Sequence, residues 1–343
     1  MDFDVVIIGA GPAGTVCAYL LRKAGIPCAL VDFATFPRDK ICGGGLTPKA
    51  YRLLAELMPN LHYSYKAIRK IRMGYDHKIL NEIELPDEIR IVRRKEFDNA
   101  LLQQYRDAGG LFVQDVFAAF ERQGDGLVVR LQSGKELRCR YLVGADGANS
   151  RVRRQIMGHY NGNVLCLEQY VERNGSAPRD TIEGVVSNDY ENGYYYIFPN
   201  DRCDVVGLGA RGMTVQRFRE VLARQGIAET QIRGANIPVE EVCSGMDDVM
   251  LIGDAGGFAN KLSYEGLYYA FATGRNAAEA IITGRPFGQT NSDIYRRKRK
   301  ERILAGIFYS RFGMFLVRHL TSCTWLVKKI FVAGLHTNTV AAQ

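Results

Sequence analysis

The sequence predicts an α/β fold in which a domain built on a parallel sheet alternates along the chain with an antiparallel β-sheet domain, followed by a C-terminal helical segment. Residues 5–8 and 249–252 are continuous apolar runs typical of strands buried on both faces, and each leads directly into a glycine-rich loop. Apolar and polar residues alternate from 68 to 92, as in half-exposed antiparallel strands. These segments define the predicted architecture.

Composition narrows the class of protein. The chain has 343 residues, of which 47% are apolar and 24% charged, so it can bury a core as one large or two intertwined domains. Its eight cysteines are scattered, with no C-x-x-C pair and no Cys/His cluster. We therefore expect no metal site, no disulfide framework and a cytoplasmic location. No N-terminal signal, no membrane-spanning helix and no nucleic-acid partner are expected.

Residues 4–32 predict a complete βαβ unit. A buried strand is followed by a glycine-rich turn, an apolar helix over 15–23 and a second buried strand that ends in Asp32. The turn has the G-x-G-x-x-G pattern, Gly9-Ala10-Gly11-Pro12-Ala13-Gly14. The alternative is a βαβ unit with coincidental glycines.

Each position of this turn has a physical role in dinucleotide binding. Gly9 permits the tight turn, Gly11 lets a pyrophosphate approach the backbone, and Gly14 allows close packing of helix on strand. The helix amides from about Ala13 onward would face the phosphates, where the helix dipole is positive. Asp32 would accept hydrogen bonds from ribose hydroxyls. The sequence therefore predicts a Rossmann-type dinucleotide site.

The remaining elements alternate between the two predicted domains. Helical spacing predicts helices over 49–58, 96–108, 214–225 and 266–283. The resulting boundaries are 1–60, 90–159 and 246–290 for the cofactor domain, 61–89 and 160–245 for the substrate domain, and 291–343 for the C-terminal segment.

Two further glycine-rich loops follow predicted strands, at 144–147 and 253–257. Loops at the carboxyl ends of parallel strands line one crevice, so both should meet the Gly9 turn on one long ligand. Asp146 and Asp254 lie in these loops, and we assign them as a hypothesis to ribityl hydroxyls or water bridges. The alternative for Asp254 is a helix N-cap.

Three consecutive glycines follow Cys42, at 43–45. Because each glycine costs backbone entropy, the run suggests a place where the chain passes close to something flat or large. The alternative is a mobile linker.

These motifs resemble those of the flavoprotein group typified by p-hydroxybenzoate hydroxylase, and within it the geranylgeranyl reductase family. Four signatures have the order and spacing of that group: the Gly9 turn, Arg94-x-x-Phe97-Asp98, Gly144-Ala-Asp146-Gly147 and Gly253-Asp254-Ala255. The reductase branch is suggested by Lys40-x-Cys42-Gly43-Gly44. Tyr194-x-Tyr196-x-Phe198-Pro199 is similar to that branch's Y-x-W-x-F-P motif, with Tyr196 in place of tryptophan.

The resemblance implies FAD as the cofactor. Asp32 would contact the adenosine ribose, Arg94 the pyrophosphate and Asp254 the ribityl chain. The helix beginning at Gly266 and Leu267 would direct its amides at flavin N1 and O2, and Cys42 with Gly43 would lie against the isoalloxazine. The resemblance places three further residues at the cofactor: Phe33, Val116 and Gly147.

A second G-x-G-x-x-G occurs at 207–212. We reject a nicotinamide nucleotide site there, because no acidic residue lies near position 232 and no βαβ partner strand is evident. In the resembling family this stretch is a strand of the substrate domain.

The expected reaction is FAD-dependent reduction of carbon–carbon double bonds in an apolar, isoprenoid-like small molecule or lipid. Tyr194, Tyr196 and Phe198 would wall the substrate cavity, although the same pattern also fits ordinary sheet core. The proton would come from Tyr196, Cys42 or a trapped water; Cys42 is equally a small buried residue. The electron donor would be NAD(P)H or a small redox protein.

Three other functions stay open at this point. One is a monooxygenase of the same fold, although residues 253–257 lack the histidine-and-proline continuation common in hydroxylases. The second is a halogenase, which is less expected because halogenases are usually much longer. The third is a non-catalytic, membrane-associated flavin-binding protein.

The C-terminal segment combines a basic run, 295–302, with apolar residues at helical spacing: Leu304, Phe308, Phe312, Phe315 and Leu316. This pattern fits a helix on a membrane surface, and equally a helix packed on the protein's own core with a solvated basic flank. The first interpretation predicts a peripheral location on the inner face of the membrane.

Overall fold

Two eight-stranded sheets organise the computed structural model, which describes residues 2–173, 179–240, 242–246 and 248–336. The first sheet has the strand order β15-β16-β9-β1-β2-β6, and β8 and β7 extend it from β9. Its strands are β1 (Phe3–Ile8), β2 (Cys28–Asp32), β6 (Leu111–Gln114), β7 (Phe117–Gln123), β8 (Gly126–Leu131), β9 (Glu136–Gly144), β15 (Gly245–Met246) and β16 (Val249–Leu251).

The centre of the first sheet is parallel and buried on both faces. β1 pairs in parallel with β2 and β9, β2 with β6, and β16 with β9. Val5, Val6 and Ile7 are completely buried, as expected for β-branched residues in a covered parallel sheet. The predicted α/β fold is confirmed.

Helices cover one face of this sheet, and β7, β8 and a short helix cover the other. The first face packs against α1 (Pro12–Lys23), α2 (Pro48–Leu57), α3 (Arg94–Asp107) and α6 (Leu267–Thr283), and the second against α4 (Arg151–Met157). The predicted helices over 49–58, 96–108 and 266–283 correspond to α2, α3 and α6 with end shifts of one or two residues.

The second sheet has the order β14-β10-β13-β12-β11-β4-β5-β3. Its pairs are antiparallel except for β11 with β4, which is parallel. These two strands come from separate chain segments, so no hairpin dictates their direction. The strands are β3 (Gly45–Leu46), β4 (Lys66–Tyr75), β5 (Lys78–Ile91), β10 (Asn163–Glu172), β11 (Thr181–Val186), β12 (Tyr194–Pro199), β13 (Cys203–Ala210) and β14 (Arg233–Pro238). The exact domain boundaries stay a prediction.

Two apolar clusters cover opposite faces of the second sheet. Helix α5 (Val215–Arg224) packs through Phe218 on Tyr195 and Ile197 of β12. On the other face, a C-terminal helix packs on the isoleucines of β4 and β5, together with Phe198. Side chains alternate along β12, so neighbouring residues enter different clusters.

The short helix α7 (Phe287–Thr290) precedes the predicted C-terminal segment. Within its described residues, the segment itself forms three helices: α8 (Ser292–Phe308), α9 (Arg311–Leu320) and α10 (Thr324–His336). The Ser310 side chain accepts a hydrogen bond from the Gly313 amide and so starts α9. Within the described ranges, no single helix is long and apolar enough to cross a membrane; α8 and α9, bent by 76°, reach that threshold only as a pair.

Candidate active site

The three glycine-rich loops meet at the carboxyl edge of the first sheet. A Cβ added to Gly9, whose φ is +105°, would overlap the carbonyl of Ala145 in the second loop. A Cβ on Gly253, in the third loop, would lie 2.9 Å from the Ala13 Cβ. This is the convergence that parallel strand ends predict.

Gly11 differs from the other two glycines of the turn. Gly14 is required by the protein's own backbone, since a Cβ there would overlap the Gly9 carbonyl. A Cβ on Gly11 would face open space, with Arg38 Nη2 as its nearest neighbour at 3.6 Å. Helix α1 has no side-chain cap and no acid in its first turn. Its free amides and Arg38 therefore fit the pyrophosphate of FAD.

Two arginines share one buried carboxylate beside this turn. Arg94 Nε and Nη2 donate to the two oxygens of Asp98, both at 2.8 Å, and Arg38 Nη2 lies 3.3 Å from the same carboxylate. Burial opposes the charged form, but Asp98 and Cys42 raise the pKa of Arg94 above its ordinary value. The two arginines and the one carboxylate together leave one positive charge in excess. Arg38 was not predicted, because it lies in an irregular polar stretch.

Asp32, the last residue of β2, lies at the predicted adenosine end of the crevice. Its carboxylate accepts hydrogen bonds from the amides of Ala10 at 2.6 Å and Ala34 at 2.8 Å, and a carboxylate has further lone pairs for ribose hydroxyls. Phe33 is 72% exposed beside it. The Asp115 amide donates to the Asp32 carbonyl at 3.0 Å, which places Val116 next to the same strand end.

Asp146 has a different role from the one expected. Its carboxylate accepts hydrogen bonds from the Ser150 hydroxyl at 2.5 Å and from the Arg151 and Val152 amides at 2.7 and 3.2 Å. The side chain therefore caps α4, and we do not retain its ribityl assignment. Gly147, with φ +80°, leaves open space where a Cβ would be.

Asp254 faces the start of α6. Its Oδ1 would lie 3.3 Å from a Cβ on Gly266, the N-cap residue of α6. No side-chain cap hydrogen bond starts either α6 or the short 3₁₀ turn at 253–256, so the N-cap alternative for Asp254 is not observed. The first amides of α6, from Leu267 onward, are uncapped by any side chain and can face a ligand.

The glycines after Cys42 belong to a packed loop rather than a mobile linker. A Cβ on Gly43 or Gly45 would lie 3.0 or 2.9 Å from the ring of Phe198, and one on Gly44, with φ +75°, would overlap the Val92 carbonyl. One flat neighbour of this run is therefore Phe198. The Gly44 amide donates to Cys42 Sγ at 3.4 Å.

Tyr194, Tyr196 and Phe198 lie on one side of β12, as predicted from strand alternation. The Tyr194 and Tyr196 ring centroids are 5.8 Å apart, and those of Tyr196 and Phe198 are 5.3 Å apart. Tyr195 points the other way and is fully buried against the α5 side. The aromatic side is continuous with the glycine run after Cys42.

The glycines of the second G-x-G-x-x-G, at 207–212, make room for the aromatic rings beside β12. Gly207 and Gly209 lie in β13, and the absence of side chains there makes room for the rings of Tyr196 and Tyr264, respectively. In the sheet register, Glu168 pairs with Gly207, which pairs with Tyr196. The rejection of a second nucleotide site agrees with this packing.

Across Gly207, the Tyr196 hydroxyl donates a hydrogen bond to the buried carboxyl of Glu168. Cys166 Sγ lies 3.1 Å from the same hydroxyl. Burial raises the pKa of Glu168 to about 7, against the lowering effects of Tyr196, Lys40, Arg94 and the Cys42 amide. Burial also raises the pKa of Tyr196 well above its ordinary value, so the phenol stays protonated. Sequence reasoning missed Glu168, although a lone carboxylate in the apolar run 164–171 was a usable signal.

Tyr264 is a second residue that the sequence did not indicate. Its φ is +57°, a left-handed conformation that bulky residues rarely adopt. Its ring stacks on Tyr194 with centroids 5.5 Å apart, and its hydroxyl donates to the Asn192 carbonyl. Local strain of this kind is common at ligand sites. Among the described residues, no group of three or more His, Cys, Asp or Glu could hold a metal ion.

Comparison with known sequences identifies the kind of cofactor domain. A family model described as an FAD binding domain matches residues 2–171. The chain is 31% identical over 303 residues to a geranylgeranyl diphosphate reductase of Rhodobacter capsulatus, covering 82% of this chain and 75% of that one. It is 30% identical over 325 residues to a menaquinone reductase of Mycobacterium tuberculosis, covering 81% and 76%.

Solved structures show the same fold at lower identity. A geranylgeranyl bacteriochlorophyll reductase-like protein of Thermoplasma acidophilum superposes with a TM-score of 0.80 at 18% identity, over 95% of this chain and 91% of the other. A flavin-dependent brominase superposes with a TM-score of 0.74 at 19% identity, over 97% and 94%. Fold alone therefore does not decide the reaction.

Proposed function

Because this chain belongs to the geranylgeranyl reductase family of FAD-dependent oxidoreductases, we propose that it reduces carbon–carbon double bonds of an apolar, isoprenoid-like substrate. The observation that carries the proposal is the aromatic side of β12, which joins a buried carboxyl, Glu168, to the glycine run after Cys42. Relatives named for the reduction of geranylgeranyl diphosphate and of menaquinone support this substrate class.

We assign the cofactor contacts to residues at the edge of the first sheet. Gly11, Pro12, Ala13 and the two arginines at Asp98 would hold the pyrophosphate, and Asp32, Phe33 and Val116 the adenosine end. Asp254, Gly266 and Leu267 would lie along the ribityl chain and ring, with the positive end of α6 favouring the reduced flavin's negative charge. Cys42 and Gly43 would lie against the ring.

When bound, reduced FAD would supply a hydride to one alkene carbon, and the protein would supply a proton to the other. Glu168 is the strongest proton source in the aromatic cluster, since a carboxylic acid with a pKa of about 7 is matched to neutral pH. Its proton would reach the substrate directly or through the Tyr196 hydroxyl. In the second route the Tyr196 O–H turns from Glu168 toward the substrate, releases its own proton there and takes the proton of Glu168. The alkene gains two hydrogens in total, and Glu168 becomes a carboxylate.

Tyr194, Tyr196 and Phe198 would hold the alkene and exclude water. Their rings offer apolar faces, and the buried hydroxyl of Tyr196 is already paired with Glu168. Cys42 stays an alternative proton donor. The electrons would come from NAD(P)H or a small redox protein.

The proposal is tested by anaerobic reduction of the bound flavin, followed by addition of geranylgeranyl diphosphate. We expect flavin reoxidation without oxygen and a product heavier by two hydrogens. A saturated analogue of the same chain length is the control and should leave the flavin reduced. Reoxidation only by oxygen, with an oxygen atom in the product, would instead establish a monooxygenase. If neither NAD(P)H nor a small redox protein reduced the bound flavin, the result would favour a non-catalytic binding protein.

A further inference from the structure

The whole net charge of the chain lies in its last three described helices. Residues 292–336, which span α8, α9 and α10, contain ten Lys and Arg but two Asp and Glu. The remainder of the chain contains 35 of each sign, so the formal excess of +8 belongs to this segment alone. Arg311, Arg318, Lys328 and Lys329 are exposed.

The same segment carries an unusual density of exposed apolar side chains. Among the described residues, eight of the sixteen large apolar side chains that are strongly exposed lie between 303 and 330. Their exposed fractions reach 66% for Phe312 and 70% for Trp325. We call this set the C-terminal patch: Ile303, Leu304, Ile307, Phe312, Phe315, Leu320, Trp325 and Ile330.

Helix α10 and the turn before it are already anchored through another face. In α10, Val327 and Leu335 are buried against the isoleucines of β4 and β5. The Asn81 side chain of β5 donates to the Thr321 carbonyl at 2.8 Å and accepts from the Thr324 hydroxyl at 3.2 Å. The patch is therefore an additional apolar surface on a fixed support.

We propose that the C-terminal patch docks the protein on the surface of an anionic lipid membrane. Aromatic and aliphatic side chains would enter the interface while the surrounding cations contact lipid phosphates, as in other peripheral helices. Lys329 lies 5.0 Å over the Trp325 ring, so an interfacial aromatic and a cation already stand together.

Charge complementarity favours this occupant over a second copy of the chain. Two patches brought face to face would each carry the segment's excess positive charge, and like charges at an interface are costly. An anionic membrane neutralises that charge. The buried side of α10 contacts the cluster that contains Phe198, so an apolar substrate dissolved in the bilayer would be close to the proposed active site. The docking itself does not depend on which substrate is reduced.

The test uses the full-length, FAD-loaded protein with vesicles of phosphatidylcholine, alone or mixed with phosphatidylglycerol. We expect co-sedimentation with the mixed vesicles, weakening as salt rises. The double variant Phe312→Ser/Phe315→Ser should lower the partition coefficient at least about tenfold. The double variant Arg311→Gln/Arg318→Gln should lower the partition coefficient about fivefold for each cation removed. This loss should occur only with the anionic vesicles.

Matched controls lie outside the segment. Leu111, 46% exposed in β6, and Arg219, exposed in α5, are replaced as Leu111→Ser and Arg219→Gln and should leave binding unchanged. Unaltered flavin content shows that each variant is folded. The proposal would be overturned if the protein did not bind anionic vesicles, or if its binding did not depend on lipid charge. It would also be overturned if the control variants lost as much vesicle binding as the patch variants. So would a patch variant that changed only the oligomeric state in sedimentation velocity, since the patch would then join copies of the chain.

Discussion

The hydroxyl of Tyr196 and the carboxyl of Glu168 meet over the bare backbone of Gly207, although the two residues belong to strands that are not neighbours. β13 separates β10 from β12, and any side chain at Gly207 would strike the Tyr196 ring. The glycine thus permits a buried, protonated pair on the aromatic side of the second sheet.

Replacement of Glu168 should slow the proposed reaction without releasing the cofactor. Glu168→Gln keeps the shape and the hydrogen bond from Tyr196 but carries no transferable acid proton. We expect the rate of substrate-dependent flavin reoxidation to fall on the order of a hundredfold. In the native protein this rate should decline above a pH of about 7, where Glu168 loses its proton. Anaerobic stopped-flow measurements across pH check both expectations. An unchanged rate in Glu168→Gln would instead assign proton donation to Cys42 or water.

The same carboxyl should make stability depend on pH. The ordinary pKa of 4.5 rises to about 7 on folding, so between these values the folded state holds a proton that the unfolded chain has released. The contribution of Glu168 is therefore most favourable below pH 4.5 and is lost as pH rises to about 7. The loss is about 3 kcal/mol. Denaturant unfolding of native protein and Glu168→Gln should give curves that diverge over this interval; parallel curves would contradict the assignment.

Gly11→Val should yield a folded protein without bound flavin. The added side chain enters open space beside Arg38 rather than the protein's own backbone, so the clash falls on the pyrophosphate. Flavin absorbance after purification, with a thermal melt as the folding check, measures the outcome. Gly184→Val is the matched control, because Gly184 lies in β11 with no atom near its Cβ position. Full flavin retention in Gly11→Val would refute the pyrophosphate assignment.

Replacement of Tyr195 should affect stability, whereas replacement of Tyr196 should affect catalysis. Tyr195 is 1% exposed against the α5 side, so Tyr195→Ala should cost about 3–5 kcal/mol of unfolding free energy. It should leave the substrate preference of the surviving enzyme unchanged. Tyr196→Ala should lower the rate of substrate-dependent reoxidation while FAD stays bound. If Tyr195→Ala alone altered substrate preference, the substrate would lie on the other face of the sheet.

The secondary structure and the meeting of the strand-end loops were predictable, but individual side-chain contacts between distant segments were not. The βαβ unit and the main helices follow from hydrophobic periodicity and glycine spacing, which are read within short windows. Arg38 and Glu168 escaped prediction because their importance comes from Asp98 and Tyr196, which are distant in sequence. Asp146 lies in a predicted cofactor loop, but its side chain caps α4. A sequence pattern places a loop more reliably than it directs a side chain.

The position of β16 in the first sheet has a consequence for biosynthesis. β16 pairs with β9, but Val249 is translated roughly a hundred residues after Gly144. At about 5–20 residues per second, the nascent chain waits on the order of ten seconds with residues 142–144 of β9 unpaired on that side. Helix α6, which packs on α1, emerges later still. The proposed cofactor contacts of Asp254 and Leu267 can therefore form only after the entire second sheet has been translated, and until then this strand edge is open to aggregation and to chaperones.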